Sequence, residues 1–315
     1  MMSKESLIKK YGDFPLAYLT AEKDLSSFET DSGFIAYKHK SVLGDPICAQ
    51  KDSQLLLETF TKKHPQHCFY HIQEQTADYL SKLGYAISFM GHEHTINLAS
   101  FSPTWKAQSS LKSGNNKCIH HDVRIIEQDL SELSTTHLRD IETAWLNSKQ
   151  HSHPVRFMIR PMDFTTRDNF RYFFAYQNKS LIGYYFFAPI YKNTEIIGYY
   201  TDNCRYVPQF GKNLSDAFLL HAINCFRKES HQKLSLGLCP FAETYTSTFK
   251  QHILIPTLFK AIYHLNFPPY GYKGLYGYTK KFHAKKTPYF FASNSRFPVT
   301  NLFSTWKYMF LDTTA

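Results

Sequence analysis

Asp202 and Arg205 are the residues whose types and spacing best suit chemistry on a phosphorylated substrate. They lie at the end of a predicted strand, in the run Asp202-Asn203-Cys204-Arg205. A carboxylate in that position can orient a substrate group or remove its proton, and an arginine can hold phosphate through two parallel N–H groups. The alternative is that the two side chains form a local ion pair without a role in chemistry.

The segment from Tyr270 to Phe290 is the second candidate, because five lysines and seven aromatic residues interleave over its 21 positions. Lysine neutralises phosphate, and aromatic faces take up bases or the headgroup region of a lipid. The segment therefore favours RNA, an anionic membrane surface, or both as partners. The alternative is that its rings belong to the core and its lysines to a solvated face.

The histidines offer a third possibility, a metal site. There are 16 of them, and in His92-Glu93-His94 the alternation of a strand would put both imidazoles on one face. No cysteine or carboxylate follows at the spacing of a zinc motif, so we expect no metal site. Phosphate-binding, dinucleotide-binding and serine-hydrolase glycine motifs are also absent from the sequence.

Composition limits the class of protein. The chain has 315 residues and a formal net charge of +10, which favours two domains and an acidic partner. Its six cysteines are scattered, as in a reducing compartment, and we expect no disulfides. The first ten residues lack the apolar run of a secretory signal, and the longest apolar run, Leu181–Tyr191, is too short to span a membrane. These features predict a cytoplasmic protein, at most peripheral on the inner face of the membrane.

The first half of the chain predicts strands and helices in alternation. Strands at 33–38 and 42–47 form a hairpin, and helices cover 52–63 and 74–83 on either side of a strand at 68–72. A pair of strands, 85–90 and 94–98, closes this unit.

The second half predicts the same order more fully. A helix at 134–149 precedes a three-stranded meander at 169–176, 180–191 and 195–203. A loop through Gly211 then leads to a helix that starts near Ser215 and Asp216, which are good N-cap types, and a strand at 234–238 follows. The amides at the start of that helix would attract an anion, so Gly211 and Lys212 are predicted to bind substrate.

This order is that of the GNAT acyltransferase fold, and the first half resembles an incomplete second copy. We therefore predict an α/β (α+β) protein with two tandem GNAT-like domains, 1–125 and 126–315, each a mixed central sheet flanked by helices. The second would be catalytic and would carry the basic aromatic segment. The acetyl-CoA loop pattern (Q/R)xxGx(G/A) fits Gln209–Leu214 poorly.

Several short motifs, in order over residues 33–292, carry a more specific resemblance. They are Gly44-Asp45-Pro46, Leu83-Gly84, Trp145-Leu146, Asp202-Asn203-Cys204-Arg205, Leu236-Gly237-Leu238-Cys239-Pro240-Phe241, and Gly274-Leu275 through Lys281-Phe282 to Pro288. In these motifs the chain resembles the soluble aminoacyl-transfer domain (DUF2156-like) of phosphatidylglycerol lysyl- and alanyltransferases.

The chain departs from that family at several positions. Thr279 replaces the usual lysine two residues before Lys281, and Ala284, Lys286 and Tyr289 replace the usual proline, tryptophan and arginine. Residues 110–117 lack the usual arginine.

The resemblance implies an aminoacyltransferase that moves an amino acid from aminoacyl-tRNA, its donor substrate, to an anionic phospholipid headgroup without a cofactor. Asp202 would orient or deprotonate the acceptor. Arg205 and Lys281 would bind phosphate or the developing oxyanion. Lys273, Tyr278 and Lys280 would contact substrate along with Gly211 and Lys212.

Two other functions stay open at this point. One is a CoA-dependent GNAT N-acyltransferase, in which acetyl-CoA would bind and stabilise the fold. The other is a non-catalytic tandem GNAT module that binds lipid or RNA. The departures from the family pattern at Thr279 and Tyr289 favour this function. Such a module would bind polyanions in a salt-sensitive way and form no product.

Overall fold

A computed structural model describes residues 2–102, 109–149, 156–266 and 271–311 of the chain. Its strands are β1 (Ser26–Thr30), β2 (Gly33–Lys38), β3 (Ser41–Leu43), β4 (Ile47–Cys48), β5 (Cys68–Ile72), β6 (Ala86–Asn97), β7 (Arg124–Glu127), β8 (Arg171–Gln177), β9 (Ser180–Lys192), β10 (Glu195–Tyr206), β11 (Lys233–Pro240) and β12 (Lys285–Ser293). Its helices are α1 (Lys4–Tyr11), α2 (Ser53–Lys63), α3 (Glu74–Lys82), α4 (Ser109–His120), α5 (Thr135–Asn147), α6 (Lys212–Lys228), α7 (Ile255–Leu265), α8 (Tyr272–Thr279) and α9 (Pro298–Leu311).

The described strands form one mixed sheet in the order β1-β2-β3-β5-β12-β6-β11-β10-β9-β8-β7, with β4 paired to β2. Helices cover both faces, so the predicted fold class, a mixed sheet flanked by helices, is confirmed. Strand β12, from the end of the chain, lies between β5 and β6 of the first half. Strands from before and after residue 125 belong to the same sheet. The division into domains 1–125 and 126–315 stays a prediction.

Parallel strands β10 and β11 pair over three residues each, Gly198–Tyr200 with Lys233–Ser235. Beyond that point both strands continue, to Tyr206 and Pro240, but they no longer pair with each other. Helix α6 connects them across one face of the sheet and buries an apolar side of Leu214, Phe218 and Phe226. Asp202 and Arg205 therefore lie on the part of β10 that has separated from β11.

Two local predictions need correction, and one edge strand was not predicted. Residues 86–97 form one strand, where a pair had been expected, because extended backbone at Gly91 lets the chain continue past a register shift. Helix α6 begins at Lys212, one turn earlier than expected, and Ser215 and Asp216 are buried within it. Strand β1 was not predicted, and it pairs antiparallel with β2 at the sheet edge.

None of the helices in the described part of the chain has both the length and the apolar character that crossing a membrane requires. The apolar residues of the run 181–191 instead form most of β9, a strand that is buried on both faces.

Candidate functional site

Asp202 lies near the end of β10 and is held by two residues distant in sequence. The Arg160 guanidinium donates to Asp202 Oδ2 from Nε at 2.8 Å and approaches the same oxygen with Nη2 at 2.7 Å. The Tyr18 hydroxyl donates to Oδ1 at 2.9 Å. Both charged side chains are almost completely buried, with 2% exposure for Arg160 and 1% for Asp202. The carboxylate therefore joins three separate parts of the chain.

A wider charge network surrounds this pair. Asp163 accepts from Arg160 Nη1 and from Arg167 Nη2, each at 2.7 Å, and Arg167 also pairs with Glu22. Burial disfavours the charge on Arg160, but the carboxylate of Asp202 outweighs that effect and raises the pKa of the guanidinium. Arg160 is thus a fixed cation in a site largely shielded from water.

These contacts bear on the two roles predicted for Asp202. The Asp202 carboxylate accepts from a guanidinium on one oxygen and from a phenol on the other, so both of its oxygens are engaged in hydrogen bonds. Burial, followed by the charge of Asp202, raises the pKa of the Tyr18 phenol well above its usual value, so Tyr18 stays a proton donor. The geometry favours Asp202 as an orienting group over Asp202 as a proton acceptor.

Arg205 does not pair with Asp202, so the alternative of a local ion pair is wrong. A register shift between Thr201 and Cys204 interrupts the alternation of β10. The guanidinium of Arg205 lies over the ring of Trp145, 4.2 Å from its centroid, and donates to Asn203 Oδ1 at 3.0 Å. Its Nε has no hydrogen-bond partner among the described residues, and the Glu142 carboxylate lies 3.9 Å from it.

Cations gather where helix α6 begins. Gly211, with φ +55, turns the chain into the helix, and Lys212 is its first residue. Partial burial and the nearby charges of Lys212 and Arg205 lower the pKa of Lys149. Since like charges and free helix amides converge there, this end of α6 suits a phosphate group. Three of the predicted site residues, Gly211, Lys212 and Arg205, lie at this end of α6. Lys149 lies there too but was not predicted.

Lys281 and Tyr278 meet the same helix one turn further on. The Lys281 ammonium lies 2.9 Å from the buried carboxylate of Asp216. Burial raises the pKa of Asp216, and the bond from Lys281 opposes that rise. The Tyr278 hydroxyl lies 2.8 Å from Ser215 Oγ. Lys281 therefore already has an anionic partner, which weakens it as a free cation for substrate.

The remaining predicted lysines lie apart from this group. Lys273 is exposed and donates to the backbone carbonyl of His264 at 2.8 Å, and Lys280 lies over the ring of Tyr276. Tyr270 falls outside the described residues. The prediction that residues 270–290 form one contact surface is wrong for the second part of that segment. Phe282, Tyr289 and Phe290 are core residues.

Two of the family departures have clear surroundings. Thr279 is buried, and its hydroxyl lies 3.1 Å from Cys239 Sγ on β11. Lys286 pairs with Glu243, which also accepts from the Tyr276 hydroxyl at 2.6 Å and lies 2.7 Å from His92 Nδ1. Among the described residues, no group of three or more His, Cys, Asp and Glu side chains is arranged to hold a metal ion.

An apolar cavity of about 150 Å³ adjoins the Asp202 site. Its wall includes Tyr200, two residues before Asp202, and Leu16, two residues before Tyr18. Opposite the sheet, helix α7 contributes Phe259 and helix α9 contributes Trp306. The cavity can take up an apolar group beside a site built for charge.

Sequence reasoning missed Arg160 and Tyr18. They lie 42 and 184 residues from Asp202, and neither stands in a recognisable motif. The only sequence signal for Arg160 is the high number of arginines and aromatic residues over 156–172.

Solved structures match this fold along nearly its whole length. The structure of L-PGS from Bacillus licheniformis has a TM-score of 0.81 at 17% identity, covering 99% of this chain and 97% of that one. The C-terminal domain (DUF2156) of an Agrobacterium fabrum protein described as a possible lysylphosphatidylglycerol synthetase has a TM-score of 0.77 at 15% identity, covering 98% of both chains. The chain thus has the α/β fold of the L-PGS structures.

The sequence identifies the family. The family described as phosphatidylglycerol lysyltransferase, C-terminal, matches residues 5–293, and this chain belongs to it. A phosphatidylglycerol lysyltransferase of Staphylococcus xylosus is 24% identical over 306 residues, covering 91% of this chain and 35% of the relative. One of Staphylococcus epidermidis is 24% identical over 252 residues, covering 74% and 29%. The chain spans about a third of the length of these relatives, and the predicted resemblance is confirmed.

Proposed function

We propose that this chain transfers an aminoacyl group from aminoacyl-tRNA to a hydroxyl of an anionic phospholipid such as phosphatidylglycerol. The relatives that bear the name phosphatidylglycerol lysyltransferase support a lipid acceptor. The observation that carries the proposal is an apolar cavity near the Asp202–Arg160 pair, because Ile159 and Tyr200, which line it, lie one and two residues from that pair in the sequence.

The acceptor side of the proposal rests on helices α7 and α9. Both line the cavity, and large apolar side chains on or next to them are exposed to solvent. These side chains are Ile253, Leu254, Leu265, Phe297, Val299 and Phe303. Exposed apolar groups next to an apolar cavity mark a site of protein or membrane contact. An apolar part of the lipid would enter the cavity from this surface and hold the headgroup beside the Asp202 site, while the protein stays at the membrane interface.

The donor side rests on the start of α6. Arg205, Lys212 and Lys149 place positive charge at a helix N-terminus, where the phosphates near the end of a charged tRNA would bind. Arg205 is held over the ring of Trp145 and bonded to Asn203, so its guanidinium is ordered before a ligand arrives. The formal charge of +10 adds long-range attraction for a polyanion.

The roles of the remaining predicted residues follow from their partners. Asp202 keeps Arg160 charged and in place, and Arg160 would stabilise the oxyanion that forms when the acceptor attacks the ester. Lys281, through Asp216, fixes the segment after α8 against α6. We propose a supporting role for Lys281 and a direct one for Arg160.

A CoA-dependent acyltransferase fits this structure less well. In that alternative the thioester would reach the reaction centre through the opening between β10 and β11. Here Tyr278 crosses to Ser215 on α6, Thr279 contacts Cys239 on β11, and Phe282 packs in the core beneath them. A shift of several degrees in melting temperature with acetyl-CoA would favour this alternative.

The test incubates the purified chain with tRNA charged with radiolabelled amino acids and with vesicles that contain phosphatidylglycerol. Label in the organic phase is the expected result and would name the amino acid. The matched control is Arg205→Ala, which should lose transfer because it weakens the donor site. No transfer by the natural chain, together with salt-sensitive binding of tRNA or vesicles, would contradict the proposal and favour a non-catalytic binding module.

A further inference from the structure

A second buried polar group lies at the centre of the sheet and includes Glu93, the middle residue of the His92-Glu93-His94 run. His71 on β5 and Glu93 on β6 pair through Nε2 and Oε2 at 3.1 Å. The other oxygen of Glu93 accepts from the hydroxyl of Ser235 on β11. The side chains of His71 and Glu93 are 1% and 2% exposed.

These contacts orient the imidazole. A carboxylate only accepts hydrogen bonds, so Nε2 of His71 donates to Glu93 and Nδ1 is the nitrogen left for another partner. Nδ1 is buried and has no hydrogen-bond partner among the described residues. A buried acceptor without a partner is unfavourable, and an incoming hydroxyl group would satisfy it.

The position of His71 is fixed by the fold. Its φ is +58, a conformation that residues other than glycine seldom adopt and that clusters at functional sites. Its ring packs on Tyr289 of β12 with centroids 4.2 Å apart. His71 also lines the apolar cavity, as do Tyr200 and Leu16 beside the Asp202 site. His71 thus lines a cavity whose wall also includes residues one or two positions from Arg160, Asp202 and Tyr18.

We infer that His71 is the general base that activates the acceptor hydroxyl and that Glu93 is its positioning residue. This inference rests on the proposed function. The chain needs such a base because both oxygens of Asp202 are occupied by Arg160 and Tyr18.

The reaction step balances as a transesterification. The acceptor oxygen bonds to the aminoacyl carbonyl carbon while its proton passes to Nδ1 of His71. The tetrahedral intermediate then breaks the ester bond to the tRNA ribose, and the leaving ribose oxygen takes the proton back from the imidazolium. Glu93 stabilises the imidazolium between the two steps.

The test compares three variants in the transfer assay with labelled charged tRNA and phosphatidylglycerol vesicles. His71→Asn removes the base but suits a positive φ, and Glu93→Gln keeps an acceptor for Nε2 without its charge. The control is His94→Asn, since His94 is also a buried histidine with an unpartnered nitrogen among the described residues, next to Glu93, but does not line the cavity.

We expect His71→Asn to lower kcat by about 100-fold or more and Glu93→Gln by about tenfold or more, both with an unchanged KM for lipid. His94→Asn should stay within about threefold of the natural chain. If His71→Asn does not fold, Glu93→Gln tests the inference by itself. A lower kcat with an unchanged KM supports His71 as the base. Near-normal kcat in both variants, or an equal loss in His94→Asn, overturns the inference. A natural chain that moves no label to lipid overturns the proposed function and the inference with it.

Discussion

Arg160 and Asp202 form a buried ion pair in which Nε and Nη2 of the arginine both lie within 2.8 Å of one carboxylate oxygen. The pair joins the segment after α5 to the end of β10, and Tyr18 adds the N-terminal region through the second oxygen. The site therefore depends on the same contacts that hold these parts of the chain together.

Replacing Asp202 with Asn should reduce both stability and transfer. Arg160 would lose its buried counter-charge, and breaking such a pair typically lowers the free energy of unfolding by about 3–5 kcal/mol. Urea denaturation and the transfer assay measure the two effects. Asp163→Asn is the matched control, because its side chain is 45% exposed and its loss should cost about 1 kcal/mol or less. Equal stability of the two variants would contradict the importance of burial.

Replacing Lys212 with Ala should weaken binding of tRNA. One phosphate contact fewer lowers the slope of log affinity against log salt concentration by about 1. A filter-binding titration at several salt concentrations measures the slope. Lys228→Ala removes a lysine from the far end of the same helix and should leave the slope unchanged. If both variants behave alike, the cations at the start of α6 are not the donor site.

Replacing Phe303 with Ser should weaken binding to anionic vesicles. Its side chain is 63% exposed on α9, and burying a phenylalanine contributes about 1.5–3 kcal/mol, which corresponds to a loss of about tenfold or more in affinity. Vesicle flotation measures the change. Leu55→Ser is the control, since Leu55 is equally exposed but lies on α2. Undiminished flotation of Phe303→Ser would place the membrane contact elsewhere.

The charge on Glu243 should make the free energy of unfolding depend on pH. Burial alone would raise its pKa, but bonds from Lys286 and Tyr276 lower the pKa to about 2, from an ordinary value of 4.5. A lowered pKa in the folded state stabilises above the ordinary value, and this contribution is lost as pH falls through about 2. Because solvent screens this partly exposed pair, Glu243→Gln should lower the free energy of unfolding at pH 7 by about 1 kcal/mol.

The measurement is denaturation of both proteins between pH 7 and pH 2, over which their difference should shrink. Glu195→Gln is the control, because Glu195 is exposed and begins β10. A difference that stays constant with pH would show that Glu243 acts through packing and not through charge.

Local structure was largely readable from the sequence. The meander β8–β9–β10, the helices α2 and α5 and the buried strand β11 lie close to their predicted bounds, because apolar spacing on one element reports which side it buries. The short motifs, in their order along the chain, also predicted the family, because they mark turns and strand ends that the fold requires. Asp202 and Arg205 were selected in this way, and their role stays a prediction.

Tertiary structure alone decided which distant residues meet. Nothing local predicts that β12 enters between β5 and β6, because backbone hydrogen bonds between strands are the same for any sequence. That insertion buries Tyr289 and Phe290, which had been expected at a surface, and places Tyr289 on His71. The sequence by itself determined which residue types were available and which elements they formed. The partners of Asp202, Arg205 and His71 followed from long-range packing, in which burial and charge pairing depend on neighbours up to 184 residues away.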